Sequence, residues 1–155
     1  MRRAAGTAVI AVLLVLALAE AGAAASVVGL GVMAGEPTGL SLKVWGNSRH
    51  AFDGAAGWSI GEGGWIYLHG DYLWHRYELD PDEFDGTVPY YFGVGCRMLL
   101  HEGDDSRLGV RFPLGLDYIF NGGHFDVFIE VAPVLDLVPE TDFDLSGGIG
   151  ARYYF

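Results

Sequence analysis

Histidine and carboxylate side chains are the groups in this sequence best suited to chemistry. His69, Asp71 and His75 lie an even number of positions apart. In a β-strand they would share one face, with neighbouring same-face residues about 7 Å apart. A metal ion needs its ligands within about 2–2.5 Å of one point, so adjacent strands would have to complete a site. We expect instead that these side chains belong to a charged network, and we predict no metal site and no cofactor.

An esterase site would need serine, histidine and carboxylate side chains within hydrogen-bond reach of one another. The candidate serines lie on other strands or turns than His69 and His75, and they are Ser41, Ser59, Ser106 and Ser146. The other histidines fall at turns, where we expect them to be solvated: His50, His101 and His124. No catalytic motif accompanies these residues, so the sequence predicts no catalytic residues.

The composition excludes some functions. The 155 residues carry a formal net charge of −11, and an acidic chain repels phosphate backbones, so nucleic acid is not an expected partner. The single cysteine, Cys96, cannot form an internal disulfide. Its position in the alternating pattern predicts that it lies on an apolar face.

The first 25 residues have the pattern of a cleavable secretory signal peptide. Arg2 and Arg3 form a positive start, residues 8–19 an apolar core, and residues 23–25 a small-residue cleavage site. A spanning helix needs about 20 apolar residues, so a membrane anchor is disfavoured. A lipoprotein is not expected, because no cysteine lies at the cleavage site. Residues 26–155 would form the exported domain.

Beyond residue 26 the sequence alternates between strands and turns. The last strand has a two-residue period and ends on Phe155, as the closing strand of an outer-membrane barrel does. Clusters of turn residues separate eight predicted strands, at 27–35, 39–47, 50–60, 65–76, 87–101, 106–120, 124–138 and 143–155. In hydrocarbon a sheet must close on itself to pair its edges. The sequence therefore predicts an all-β, eight-stranded antiparallel up-and-down transmembrane β-barrel.

The two walls of this barrel would differ in character. One wall is apolar, and the other combines glycines with charged residues, namely Lys43, Asp53, His69, Asp71, Arg97, Arg111, Asp117, Glu130 and Arg152. A soluble lipocalin-like barrel would place its apolar wall inside and long solvating side chains outside. Small residues fit the crowded interior of an eight-stranded barrel, where the cations could be neutralised by the carboxylates. We therefore predict that the charged wall faces inward as a structural network.

Aromatic residues are predicted at both rims, with Tyr118, Phe120, Tyr153 and Phe155 at one and Trp58 and Trp65 at the other. Tyr153 and Phe155 also form the C-terminal outer-membrane signature, through which barrel-insertion machinery would engage the last strand. The connection at residues 77–86 is long for a periplasmic turn. Either this barrel inverts the usual loop lengths, or the strand count is off by one before residue 77.

Six runs are spread over nearly the whole chain beyond residue 26, namely Gly35–Ser41, Tyr67–His75, Tyr90–Arg97, Leu108–Leu116, Asp126–Val138 and the closing strand. These runs resemble a family of small bacterial outer-membrane β-barrels of unknown function. The resemblance implies an eight-stranded barrel with an architecture like that of OmpA or OmpX. It brings no catalytic residues to this chain, and Cys96 stands where the family pattern favours a small residue such as glycine.

These observations together predict an integral protein of the bacterial outer membrane with lipid as its surroundings. We expect a structural or envelope role without catalytic turnover. The alternatives are an exported soluble lipocalin-like barrel that binds a small apolar ligand and, with less support, a lipid A-modifying barrel enzyme or a narrow pore.

Overall fold

The computed structural model describes residues 27–59, 63–79, 83, 85–101, 103 and 106–155. The predicted signal peptide, residues 1–25, lies outside the described residues. Within the described ranges, no helix is long and apolar enough to cross a membrane.

The described residues form ten β-strands, which match the predicted strands closely. They are β1 (Val27–Glu36), β2 (Gly39–Trp45), β3 (His50–Trp58), β4 (Trp65–Arg76), β5 (Gly86–Thr87), β6 (Tyr90–His101), β7 (Arg107–Arg111), β8 (Leu114–Phe120), β9 (Phe125–Val138) and β10 (Asp142–Tyr154).

Two prolines divide what are otherwise continuous crossings of the barrel wall. Thr87 of β5 pairs with Ile119, and Tyr90 of β6 pairs with Leu116, in one unbroken register. β7 and β8 likewise both pair with β6 and with β9, on either side of Pro113. Proline has no N–H to donate to a ladder, so each proline interrupts its strand without changing the register. The ten strands therefore make eight barrel strands.

The eight barrel strands close into a ring. Each pairs antiparallel with its neighbours along the chain, and β1 pairs with β10 from Gly29↔Tyr154 to Glu36↔Gly147. This closure satisfies the backbone groups that an open sheet would leave unpaired at its edges. The predicted all-β, eight-stranded antiparallel up-and-down barrel is confirmed.

Side chains alternate strictly between the two walls. Along β9, the even-numbered residues from Asp126 to Asp136 are buried, while Val127, Ile129 and Val131 are exposed. Large apolar side chains are exposed on most other strands as well, with Val32 at 61% and Ile149 at 58%. A small apolar group, formed by Met33, Ala55 and Phe128, lies inside among the polar residues. The barrel is thus apolar outside and mainly polar inside.

The barrel has two rims. The terminal rim contains the start of β1, the end of β10 and the strand ends that flank residues 46–49, 77–85 and 121–124. The opposite ends of the strands form the far rim. Four strands precede residue 77, so the strand count was not in error there. The strand ends that flank residues 77–85 lie on the terminal rim, and residues 80–82 and 84 of that connection lie outside the described residues.

Aromatic residues gather at the terminal rim. The ring centroids of Tyr118 and Phe120 are 4.7 Å apart, those of Phe120 and Phe125 5.3 Å, and those of Tyr153 and Phe155 5.4 Å. Trp58 and Trp65 lie at the far rim, at the end of β3 and the start of β4.

Candidate functional site

The barrel interior contains a network of buried ionisable side chains. All nine residues of the predicted lumen network are buried, from Arg111, Arg152, Lys43 and Asp117 at 0% exposed to Asp53 at 9%. Their inward position follows from the two-residue period of the strands. Three clusters of contacts follow one another from the terminal rim to the far rim.

The cluster nearest the terminal rim centres on Arg152. Its Nη1 donates to Asp53 Oδ2 at 2.6 Å, and its Nε donates to Asp126 Oδ1 at 3.3 Å. Its guanidinium carbon lies 3.9 Å from the ring centroid of Phe128, a cation–π contact. Asp117 lies beside it, with Oδ1 3.6 Å from Arg152 Nη2.

Asp117 also contacts two residues from the first half of the chain, Lys43 and His75. Lys43 Nζ donates to Asp117 Oδ2, and His75 Nε2 lies 3.2 Å from the same oxygen. Lys43 Nζ is also 4.6 Å from the ring centroid of Trp45. These contacts join β2 and β4 to β8 through the lumen, in addition to the backbone ladders.

The middle cluster centres on Arg111. Its Nε lies 3.1 Å from Asp71 Oδ2, and its Nη2 donates to Glu130 Oε1. The Tyr91 hydroxyl donates to Glu130 Oε2 at 2.8 Å. Arg111 therefore forms ion pairs with two carboxylates at the middle of the lumen.

The cluster nearest the far rim centres on Arg97. It donates to both oxygens of Asp136, at 3.0 and 2.6 Å, and its Nη1 lies 2.7 Å from Asp144 Oδ2. Arg107, whose side chain is 45% exposed, lies 3.7 Å from the same Asp136. Two cations and two carboxylates balance here.

Glycines make room for these large inward side chains. Gly115, Gly29 and Gly109 are the register partners of Tyr91, Tyr154 and Asp136. A Cβ at Gly29 would lie 2.5 Å from the Tyr154 ring, and one at Gly109 would lie 2.5 Å from Asp136 Oδ1. The glycine-rich character of the polar wall thus follows from the size of the side chains opposite.

Sequence reasoning missed several members of the network. They are Tyr91, Asp126, Asp136 and Tyr154, all of which are buried. Tyr154 donates to Asp126 Oδ2 at 2.5 Å. The signal that could have found Asp126 and Asp136 is their parity with Glu130, since all three have even numbers on β9. The expectation that His50 is simply solvated is wrong, because its Nδ1 lies 2.9 Å from the Tyr72 hydroxyl.

Asp53, His69 and Asp71 form the part of the network that could hold a metal ion. One ligand atom from each lies within 4.8 Å of the other two. Asp53 and Asp71 are register partners on β3 and β4, and His69 lies two residues from Asp71. His75, which the sequence grouped with His69 and Asp71, contacts Asp117 instead.

The described serines inside the barrel do not form a serine–histidine pair. Ser146 Oγ donates to the carbonyl oxygen of Ala132 at 3.3 Å, and buried Ser41 Oγ has no hydrogen-bond partner. A nucleophilic hydroxyl needs a base within hydrogen-bond reach. These two serines therefore lack the arrangement of an esterase.

The residues of the C-terminal signature lie at the terminal rim. Tyr153 and Phe155 are 52% and 74% exposed, and the Phe155 N–H donates to the carbonyl oxygen of Val28 at 3.0 Å. Elsewhere on the same rim, the Tyr77 hydroxyl donates to the carbonyl oxygen of Ser48 at 2.7 Å. Burial raises the pKa of Tyr77, so this hydroxyl remains a donor.

Cys96 is exposed on the outer wall.

No family model matches this chain, and no curated protein matches it. Among solved structures it is similar to Ail, the attachment invasion locus protein of Yersinia pestis, at 15% identity and a TM-score of 0.49. The match covers 84% of this chain and 97% of that one. A likeness of this extent transfers no function, and the barrel is established by the chain's own strand pairing.

Proposed function

We propose that this chain is an integral protein of the bacterial outer membrane with a structural or envelope role and no catalytic turnover. Its lumen would be filled by an ion-pair network that fixes the barrel shape. Lipid would be its main partner, and barrel-insertion machinery would engage the strand that ends in Tyr153 and Phe155.

The continuous apolar outer wall is the observation that carries this proposal. Exposed side chains that form it include Leu30, Val32, Leu40, Phe52, Val94, Met98, Leu108, Leu114, Leu116, Ile129, Val131, Leu145 and Ile149. Soluble proteins rarely expose contiguous apolar patches larger than a few hundred Å². A closed β-barrel is one of the two structures that satisfy every backbone group within hydrocarbon. Such a wall is stable in lipid and unstable in water.

The alternatives require other arrangements. A lipocalin-like barrel would line its cavity with apolar side chains, whereas the described interior is occupied by buried arginines, carboxylates and tyrosines. A pore would need an open lumen, and the side chains of Arg97, Arg111 and Arg152 extend into this one. Eight strands enclose a space that side chains alone can fill. The network therefore favours a barrel whose lumen is filled by side chains over a pore.

Membrane fractionation tests the proposal. The chain is expressed with its first 25 residues in a bacterium that has two membranes, and the membranes are separated by density. We expect it in the outer-membrane fraction, resistant to alkaline washing and released by detergent. Recovery from the periplasm without detergent, or from the inner membrane, would overturn the proposal.

A further inference from the structure

We propose that the lumen binds a divalent transition-metal ion of the Zn²⁺ class through Asp53, His69 and Asp71. The inference concerns the folded barrel alone and does not depend on its cellular location. It differs from the expectation drawn from the sequence, which placed these residues in a network without a metal.

The backbone register brings the three ligands together. Asp53 pairs with Asp71 across β3 and β4, and the next inward pair along these strands is Ala55 with His69. One ligand atom of each residue lies within 4.8 Å of the others. Zinc binds such ligands at about 2.0–2.2 Å, so the three atoms would draw together by about 1 Å through side-chain rotation.

Unpartnered polar atoms provide an independent indication of a ligand. His69 is 8% exposed, and neither of its ring nitrogens has a hydrogen-bond partner. The nearest contact of its Nδ1 in the network is Asp71 Oδ2 at 3.9 Å, beyond hydrogen-bond range. Asp71 Oδ1 also has no hydrogen-bond partner, and Asp71 Oδ2 has only its ion pair with Arg111 Nε at 3.1 Å. Buried polar groups normally have partners, and a bound ion would satisfy the imidazole and the carboxylate together.

The charge distribution points to the same place. Among the described residues, six buried carboxylates face four buried cations. The far-rim cluster is balanced, whereas the clusters around Arg152 and Arg111 each contain one carboxylate more than they contain cations. Asp53 belongs to one of these clusters and Asp71 to the other, and like charges directly opposite each other in a sheet repel. A divalent ion between them would neutralise the excess.

The donor set selects the type of ion. Mg²⁺ and Ca²⁺ prefer oxygen ligands alone, whereas an imidazole beside two carboxylates suits zinc and its first-row neighbours. Arg152 donates to Asp53 Oδ2, and Arg111 Nε lies 3.1 Å from Asp71 Oδ2. The ion would therefore share each carboxylate with an arginine. The arginines would thereby orient the ligands, as outer-shell partners do in other metal sites.

Metal titration of the folded barrel tests the proposal. The full barrel is folded in detergent, stripped with a chelator and titrated with Zn²⁺ by calorimetry, and Co²⁺ absorption reports on the ligands. We expect one ion per chain, a Co²⁺ spectrum with an imidazole ligand, and a raised unfolding temperature. His69→Gln and Asp71→Asn should each weaken Zn²⁺ binding by about tenfold or more. Mg²⁺ should not compete.

The matched control is His50→Gln, which alters a histidine on the outer wall of β3 at the terminal rim. It should bind Zn²⁺ like the parent. Equal binding by parent, His69→Gln and Asp71→Asn would assign the ion to other histidines and overturn the proposal. Failure of the folded parent to bind, whether Zn²⁺ is present during folding or added afterwards, would also overturn it, because the arginines and protons would then suffice for the two carboxylates.

Discussion

At the residue scale, Arg111 illustrates how the lumen tolerates charge. Its side chain is 0% exposed, and it forms ion pairs with both Asp71 and Glu130. Taking ions out of water costs several kcal/mol each, and mutual attraction offsets this cost only where geometry is good and further hydrogen bonds form. Tyr91 supplies one such bond to Glu130. Loss of the Arg111 side chain would leave Asp71 and Glu130 without the cation that pairs with both.

We therefore predict that Arg111→Leu destabilises the barrel by about 3–5 kcal/mol, because it leaves buried charges unpaired. Unfolding in urea, followed by the electrophoretic shift between folded and unfolded barrel, measures the change. The control is Arg107→Leu on the same strand, since that side chain is 45% exposed and makes a 3.7 Å contact. It should cost about 1 kcal/mol or less. Equal stability of the Arg111→Leu variant and the parent would show that Arg111 does not neutralise the lumen.

At the element scale, neighbouring strands fit together because an inward glycine lies opposite each of several large inward residues. Tyr91 on β6 lies over Gly115 on β8 and is 1% exposed. A Cβ at Gly115 would also lie 2.7 Å from the backbone oxygen of Ile129. Rotation of a side chain cannot relieve that contact, because the oxygen belongs to the backbone of β9.

We predict that Gly115→Ala lowers the free energy of unfolding by about 1–3 kcal/mol through this overpacking. The same urea titration measures it. Gly70→Ala is the matched control, since Gly70 is exposed on the outer wall and its Cβ would meet its nearest neighbour, Asp53 O, at 4.0 Å. The control should unfold like the parent. If both variants unfold alike, close approach at Gly115 does not limit the packing of β6 on β8.

The strands could be predicted from the sequence because apolar and polar residues alternate along them. The same alternation determines which wall each side chain joins. The breaks at Pro89 and Pro113 were not predicted, although the lack of an N–H in proline is visible in the sequence. The choice of partners inside the lumen was beyond sequence reasoning. Lys43 and Asp117 are 74 positions apart, and their meeting depends on how the register accumulates around the closed ring. Asp53 faces Asp71 because of the register in which β3 pairs with β4, and a shift of that register by one residue would move one of the two carboxylates to the other wall.

At the scale of the whole molecule, the barrel reverses the arrangement of a soluble protein. Apolar side chains lie outside and ion pairs inside, so burial of apolar surface cannot be what holds the interior together. Stability must come from the closed backbone ladder, the lumen contacts and the match between the outer wall and its solvent. The match between the outer wall and its solvent depends on how deep a residue lies in the membrane. Substitutions at two depths therefore test membrane insertion, whereas the backbone ladder and the lumen contacts give no such test.

We predict that Val131→Arg destabilises the barrel in a bilayer by about 2–4 kcal/mol, because the residue lies half-way along β9, and a charge at the membrane midplane is costly. Val131 is 44% exposed on the outer wall. The control is Leu137→Arg on the same wall of the same strand, one position before the strand ends at the far rim and 49% exposed. There the cost should fall to about 0–1 kcal/mol. Folding into lipid vesicles, measured against urea, compares the two variants. Because both replace an aliphatic side chain on one strand face, equal costs would mean that the outer wall meets a uniform solvent, and the membrane assignment would then be wrong.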